Sequence, residues 1–444
     1  MSRKRWIPAT MTAVLAAGLL AGCGKSNEGA NGADAGQSGG EAKDVTLRFS
    51  WWGGDDRHKA TLAAIEAYKK VAPNVTIEAE YQGFDGYEQK VKTQLASATA
   101  ADIIQLDVPW MTELSKSGFF LDLSKEPNMS LDSFDADFLK NFGTYDGKVV
   151  GLPTGVNAYG LVINKTAADK LGVPTDIKWD WDSLYEAGKK LHDSDKTKYL
   201  LVADHGMVMQ DFTNILKQRT GNQWVNNDYT LGFAKEDAVA GFDWIKRATE
   251  AGVYQPLGEA DLFFGKTEQN TKWINGDIPM IPAMSSTMLT LKSVLPAGTV
   301  VTTALPPVTK DGKDTAELVR PSQLVAVNAK SKNTDEAVKF LNWFLTNPDA
   351  AVLLGDVRSS PASKSAQEAA LAAGKIDPAV TKAVADGLAS AGIVDGVVAT
   401  NSEVSAVLQD VIEQAAYGKL TPDKAADTLI QTLQKKLEEL KGRG

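Results

Sequence analysis

Apolar and polar residues alternate in three short stretches that open the folded region. Val45, Leu47 and Phe49 form the first; Val75, Ile77, Ala79 and Tyr81 form the second. Asp102-Ile103-Ile104-Gln105-Leu106 is a more continuous apolar run. A period of two predicts strands. Between the first two, Leu62, Ile65 and Tyr68 share one face of a predicted helix that Pro73-Asn74 stops. A second helix is expected near Gly86–Ala98. Strand–helix–strand–helix–strand at this spacing implies a mostly parallel sheet covered by helices. Lys148 to Pro153 predicts a further strand, and the α/β pattern continues to about Val319. A strand near Gln323–Val327 leads into a helix with Thr334 as N-cap, Asp335 and Glu336 in its first turn, and an apolar face of Phe340, Phe344 and Leu345. The last helix takes Thr421 as cap and Pro422 at its first position. Ala426, Leu429, Leu433, Leu437 and Leu440 repeat along it at helical spacing.

The first residues follow another pattern. Arg3, Lys4 and Arg5 precede a mostly apolar run from Trp6 to Leu20, too short for a permanent membrane span. Leu20-Ala21-Gly22-Cys23 resembles the lipobox of bacterial lipoproteins, so residues 1–22 are expected to be a signal peptide and Cys23 the lipidation site. Gly24 to Lys43 has no aromatic or β-branched residue and reads as a flexible tether. The expected product is a lipid-anchored protein at the extracytoplasmic face of the cell membrane. The long tether favours a Gram-positive surface over the periplasm.

Composition narrows the function. With 47 basic and 56 acidic residues the net charge is −9, and removing the three positive charges of residues 1–22 makes it −12. An acidic chain is a poor nucleic-acid binder, which needs a basic face. One cysteine excludes an intrachain disulfide and any multi-cysteine zinc site, and three histidines offer little for a metal; no metal or cofactor is expected. There is no HExxH, GxSxG, Walker A or GxGxxG motif. The 56 acidic residues leave a paired-carboxylate glycosidase open, without a positive signal. At 444 residues the chain is too long for one ordinary core, so two lobes are expected.

Ten tryptophans carry more information. Trp51 and Trp52 lie where the first predicted strand ends, and ligands of α/β sheets bind beyond the carboxyl ends of strands. Neighbours on a strand point to opposite faces, so one of the pair faces the crevice and the other is core. Trp110 follows the third strand, and Trp273 opens Trp273-Ile274-Asn275-Gly276-Asp277-Ile278-Pro279-Met280. Trp244 and Trp343 lie on apolar helical faces, and Trp179 and Trp181 flank Asp180 ahead of a helix; all four read as structural. An indole face at a crevice suits the axial C–H patch of a pyranose. The hydroxyl rim needs planar partners, and loops supply Asp56, Arg57, His58, Asp107, Asn157, Arg320, Ser322, Gln323, Arg358 and Ser359. Each of these could equally be an ordinary loop side chain or a structural ion pair.

At this point the residues resemble a family. The chain looks like an extracellular solute-binding protein of a bacterial ABC transporter, in the carbohydrate-uptake group that includes maltose-binding protein. Gly151 to Lys165 looks like the family's first interlobe crossing. Trp273 to Met280 resembles its Phe-x-x-Gly-Lys-x-Ala-Met segment, with Asp277 and Pro279 departing from it. Leu324 to Leu345 resembles its Ala-Ile-x-x-x-Ser-Lys-x-x-x-x-Ala segment. Trp51-Trp52-Gly53-Gly54, Arg57-His58, Gly155-Val156-Asn157, Arg320-Pro321-Ser322 and Arg358 to Ser363 look most like binders of pectin-derived, uronate-containing oligosaccharides; Ser359-Ser360 departs from the usual Arg-Gly-Val-Pro-x-Ser.

The resemblance implies an α/β, two-lobe periplasmic-binding-protein-like fold of type II, each lobe a mostly parallel sheet flanked by helices and joined by a hinge. Residues 44–153 with 320–357 would form lobe 1, and 154–319 with 358–442 lobe 2. It implies a monomer without enzymatic activity that closes on a sugar and docks on permease subunits of an ABC importer. The ligand-facing candidates from the first lobe are Trp51, Trp52, Gly53, Arg57, His58, Asp107 and Trp110. The others are Asn157, Tyr159, Trp273, Ser285, Arg320, Ser322 and Arg358. On this reading Trp273→Ala weakens sugar binding without unfolding the protein. The alternatives are a secreted carbohydrate-active hydrolase or lyase, and an adhesive lipoprotein without a small ligand.

Overall fold

The computed structural model describes residues 43–443. The proposed signal peptide, Cys23 and nearly all of the tether lie outside the described residues. Two five-stranded sheets organise the chain. In order the strands are β1 (Val45–Trp52), β2 (Val75–Gln82), β3 (Ile103–Leu106), β4 (Thr144–Tyr145), β5 (Lys148–Val149), β6 (Leu152–Pro153), β7 (Gly155–Asn164), β8 (Met280–Met284), β9 (Val301–Ala304), β10 (Val319–Pro321), β11 (Leu324–Val327) and β12 (Ser360–Pro361).

The first sheet runs β2-β1-β3-β11-β6. β1 is parallel to β2 and β3, whereas β11 is antiparallel to both β3 and β6. The alternation in β1 divides its side chains between two cores. Leu47, Phe49 and Trp51 pack with Ile65 and Tyr68 of helix Asp55–Tyr68 and with Phe340 and Phe344 of helix Thr334–Thr346. Trp52 joins Ile104 and Leu106 on the other face, against Tyr87, Leu95, Trp110 and Leu114. The run Lys148–Pro153, expected as one strand, is broken into β5 and β6. The break falls at Val150-Gly151, where a Cβ on Gly151 would run into the Met111 side chain. The N-cap position of helix Thr334–Thr346 falls on Asn333, one residue before the expected cap, and its side chain makes no capping hydrogen bond.

In the second sheet β7 is antiparallel to β8, β9, β10 and β12, so the parallel neighbours expected from the first half of the chain are replaced by strands that run against one long central strand. Its core takes Leu161 and Ile163 with Trp181, Phe212, Trp244, Val411 and Leu429. Three segments pass between the sheets. β6 leads into β7 through Thr154; β10 leads into β11 through Ser322-Gln323; and Val357-Arg358-Ser359 joins helix Pro348–Leu354 to β12. At β7 they are adjacent: Arg320 pairs with Asn157, Pro321 and Ser360 both pair with Val156, and Pro361 pairs with Gly155. Gly155 is required there, since a Cβ would collide with the carbonyl oxygen of Arg358.

Candidate ligand-binding site

Aromatic side chains gather at the carboxyl ends of β1, β2 and β3. Trp52 lies 5.4 Å from Trp110 and 5.6 Å from Phe84, centroid to centroid. Phe84 stacks on Trp110 at 6.0 Å and 20°. Phe84 is 55% exposed and Tyr81 45%, whereas Trp52 and Trp110 are buried. Behind Tyr81 the Trp51 ring stacks at 5.1 Å. The Trp51 indole N–H donates to Nδ1 of His58 over 3.1 Å, which leaves the proton of the neutral imidazole on Nε2. His58 is held below the usual imidazole range, first by loss of water, with Arg57 and Arg358 adding to the effect and Asp55 opposing it.

Asp107 stands beside this aromatic row. Its carboxylate caps helix Val108–Lys116 through the Val108 N–H at 2.8 Å and accepts from Nη1 of Arg320 at 2.9 Å. Arg320 belongs to β10 of the second sheet, so this ion pair ties the two sheets together next to the aromatic row.

Several candidate residues are placed elsewhere. Trp51 and Trp273 are both 0% exposed. Trp51 is sealed between the first sheet and its helices. Trp273 packs among Ile278, Ile281, Met288 and Leu291 and donates its indole N–H to the Leu291 carbonyl at 3.0 Å. Neither indole presents a face to a ligand, because the polar edge and both faces are consumed by the interior. Gly53 serves Arg57: a Cβ there would come within 2.6 Å of Arg57 Cδ. The Arg57 guanidinium donates to the Trp52 and Val357 carbonyls at 3.2 and 2.9 Å. Arg358 is buried, donates to Gln105 at 3.2 Å and Thr61 at 3.0 Å, and lies over the Phe344 ring. Among the described residues neither arginine has a carboxylate within ion-pair range. Burial brings Arg57 down to about 10 and also lowers Arg358, where the Arg57 charge adds to the effect. Both act as pins that hold Val357–Ser359 against the first sheet.

Asn157, Ser285 and Ser322 are likewise committed to the protein. Asn157 Oδ1 accepts from the Ser285 hydroxyl and the Ser286 N–H, both at 2.8 Å, and its amide donates to the Ser286 hydroxyl at 2.9 Å. Ser285 and Ser359 hydroxyls are 2.7 Å apart, and those of Thr154 and Ser322 3.2 Å. The result is a buried belt of small polar groups across the crossing segments. Tyr159 differs: its ring is buried beside Met284 of β8, yet its hydroxyl has no partner. Burial raises its pKa well above the phenol range, and the nearby Asp211, Asp204 and Glu317 add to that.

The match that decides the family covers most of the chain. The family model described as bacterial extracellular solute-binding protein matches residues 28–351. This chain belongs to that family. A periplasmic solute-binding protein of Pectobacterium atrosepticum superposes with a TM-score of 0.83 at 27% identity, covering 89% of this chain and 99% of the other. A periplasmic oligogalacturonide-binding protein of Yersinia enterocolitica, solved with saturated digalacturonic acid, gives 0.81 at 25% identity with the same coverage. A probable amino-acid ABC transporter periplasmic-binding protein of Sinorhizobium fredii is 24% identical over 389 residues, 83% of this chain and 86% of its own. A putative binding protein of Brucella abortus matches over 201 residues at 24% identity, 43% of this chain; the chain spans about half the length of that curated relative.

The solute-binding proteins share the type II, two-lobe α/β fold, and this chain has it. Among its described residues no helix is long and apolar enough to cross a membrane.

Tyr81 and Phe84, neither of them among the expected ligand-facing residues, also stand at this end of the first sheet. Leu201 bridges Met280 in parallel, so its segment leaves the second sheet at the same end as β8. Beyond that bridge His205 has its Nδ1 3.0 Å from Asp261 and its ring 4.2 Å from the exposed Phe264. An aromatic two residues past a strand's carboxyl end is the available signal for Phe84, while Tyr81 is the last apolar residue of β2 itself.

Proposed function

We propose that this protein binds a carbohydrate between its two sheets and delivers it unaltered to the permease subunits of an ABC importer. Uronate-containing oligosaccharide is the proposed substrate. Residues 44–153 with 322–357, and 154–321 with 358–442, are proposed to move as lobes about the three crossing segments, the expected boundary at 320 shifting because Arg320 and Pro321 pair with β7. One observation carries the reading. The exposed Phe84 ring, backed by the buried Trp52 and Trp110, lies on the same strand ends as the Asp107–Arg320 pair, so an open aromatic ring neighbours a guanidinium and a carboxylate. The ring suits a sugar's C–H face, the carboxylate its hydroxyls, and the guanidinium a uronate carboxylate. The likeness to the oligogalacturonide-binding protein supports the same substrate class.

Calorimetric titration with saturated digalacturonic acid, maltose and a mixture of free amino acids tests this. The uronate disaccharide is expected to bind, and Phe84→Ala to weaken it about tenfold, the order of one aromatic contact plus its area. Arg320→Gln is expected to weaken the uronate more than any neutral sugar. Binding of amino acids alone, or release of new saccharide products during incubation, overturns the reading.

Cys23 is proposed to carry the lipid that holds the protein at the membrane. Cys23→Ser is expected to move the protein into the soluble fraction of fractionated cells; retention in the membrane pellet would count against lipidation.

A further inference from the structure

The enclosed Trp51 indole depends on a single side chain for its N–H. Among the described residues its acceptor is Nδ1 of His58. The two meet because β1 ends at Trp52, and Gly53-Gly54 turns the chain into helix Asp55–Tyr68, whose first turn carries His58 back to the strand. Tyr81 of β2 seats on both rings. Its centroid lies 5.1 Å from Trp51 at 26° and 4.5 Å from His58 at 37°. Trp51 is packed against Phe49 in the interior, whereas His58 is only half-buried.

This bond has a direction that acid opposes. A neutral imidazole accepts through one nitrogen, and here that nitrogen is Nδ1. Nε2 already carries the ring proton, so a second proton has to enter at Nδ1. Two N–H groups would then face each other across 3.1 Å. The indole is fixed by its packing, so the imidazolium is the partner that leaves.

We propose that the Trp51–His58 hydrogen bond is an acid-released latch that holds the Tyr81 ring at the carboxyl end of the first sheet. While His58 is neutral, the indole N–H is bonded and Tyr81 has a two-ring seat. Once His58 takes up a proton it turns towards water, and Tyr81 keeps only the Trp51 half of that seat. Loss of water opposes the second proton most; Arg57 on the same helix and Arg358 on the crossing segment add to this. Asp55 at the start of the helix favours the proton, and Tyr81 is the titratable group that faces the imidazole from β2. Release therefore falls below pH 6.5, the ordinary imidazole midpoint.

The latch goes beyond the function proposed above and does not depend on it; only its effect on saccharide affinity rests on that reading. The test titrates the full chain from about pH 7 to about pH 5 in ¹H–¹⁵N spectra and, with 3-fluorotyrosine, in ¹⁹F spectra. Tyr81→Phe assigns the Tyr81 fluorine line, and the indole line displaced in His58→Gln is that of Trp51. His58 is expected to show the Nε2–H tautomer at neutral pH. The Trp51 and Tyr81 lines should then move together, with the midpoint of His58 itself. The Trp181 indole, bonded to the Gln218 amide oxygen at 2.8 Å, should stay in place and report an intact fold. His58→Gln keeps an acceptor for the indole but does not titrate, so it is expected to abolish both movements. An Nδ1–H tautomer at neutral pH overturns the proposal. So does a Trp51 line that ignores the His58 titration, or movements that persist in His58→Gln. In calorimetry, saturated digalacturonic acid is expected to bind wild type about threefold more weakly at the acid end, the order of one weakened aromatic contact, and His58→Gln equally at both. Equal pH dependence in the two proteins overturns the link to affinity. If the disaccharide binds at neither pH while the spectra behave as expected, the crevice reading falls and the latch stands.

Discussion

Trp273→Ala is expected to lower the free energy of unfolding by about 3–5 kcal/mol, the range for deleting a buried large aromatic side chain. The indole is fully enclosed by Ile278, Ile281, Met288 and Leu291, and its N–H satisfies the Leu291 carbonyl. Truncation therefore leaves a cavity and an unpaired buried acceptor together. Urea unfolding at neutral pH measures the loss. Saccharide affinity of the fraction that remains folded is expected to stay within about twofold, since the ring reaches no open surface. A variant as stable as wild type that has lost its saccharide would return Trp273 to the ligand site.

Alkaline pH is expected to weaken the fold, through two buried carboxyl groups. Burial raises Glu317 to about 8, with Lys217 opposing and Asp386 adding, and raises Asp211 to about 7 against the hydrogen bond that Tyr254 donates to it at 2.5 Å. In the unfolded chain both groups would titrate near 4. The folded state thus holds protons that the unfolded state has released. Their contribution is complete below about pH 4 and is lost progressively as pH rises towards 8, up to several kcal/mol by linkage. Unfolding measured at pH 5, 7 and 9 should show the decline. Glu317→Gln should flatten it by roughly half, because Asp211 still titrates. A Glu317→Gln profile parallel to that of wild type would mean that Glu317 ionises normally inside the fold.

Much of this architecture is legible in local pattern. The alternation Val45-Leu47-Phe49 marks β1, and the apolar run Ile103–Leu106 marks β3, because a strand's two faces meet different environments. The same rule separates Trp51 from Trp52, yet it does not say which face is crevice. That depends on helix Thr334–Thr346, nearly 300 residues later in the chain, which closes over Trp51. The burial of Trp273 is hidden from local pattern for a related reason. A tryptophan beside polar residues looks like a surface platform until Met288 and Leu291 fold onto it. Asp107 and Arg320 were each recognisable as polar residues near strand ends, but their pairing across 213 positions is a product of topology. Glu317 gave no local warning, since Asp-Thr-Ala-Glu-Leu reads as an ordinary polar loop. Its burial comes from the approach of helix Pro378–Ser390.

The belt of hydroxyls across the three crossing segments has a mechanical consequence. In the pair Thr154–Ser322 either oxygen can be the donor, whereas the Ser285 hydrogen is committed to Asn157 Oδ1, so in the pair Ser285–Ser359 it is Ser359 that donates. Backbone bonds already fix the register at the joint, where the Ser322 N–H donates to the Gly155 carbonyl at 2.9 Å and the Thr154 N–H to that of Gln323 at 3.0 Å. Under the proposed lobe motion the Thr154–Ser322 contact can invert without stranding a hydrogen, whereas the one-way chain from Ser359 through Ser285 to Asn157 has to travel with β7.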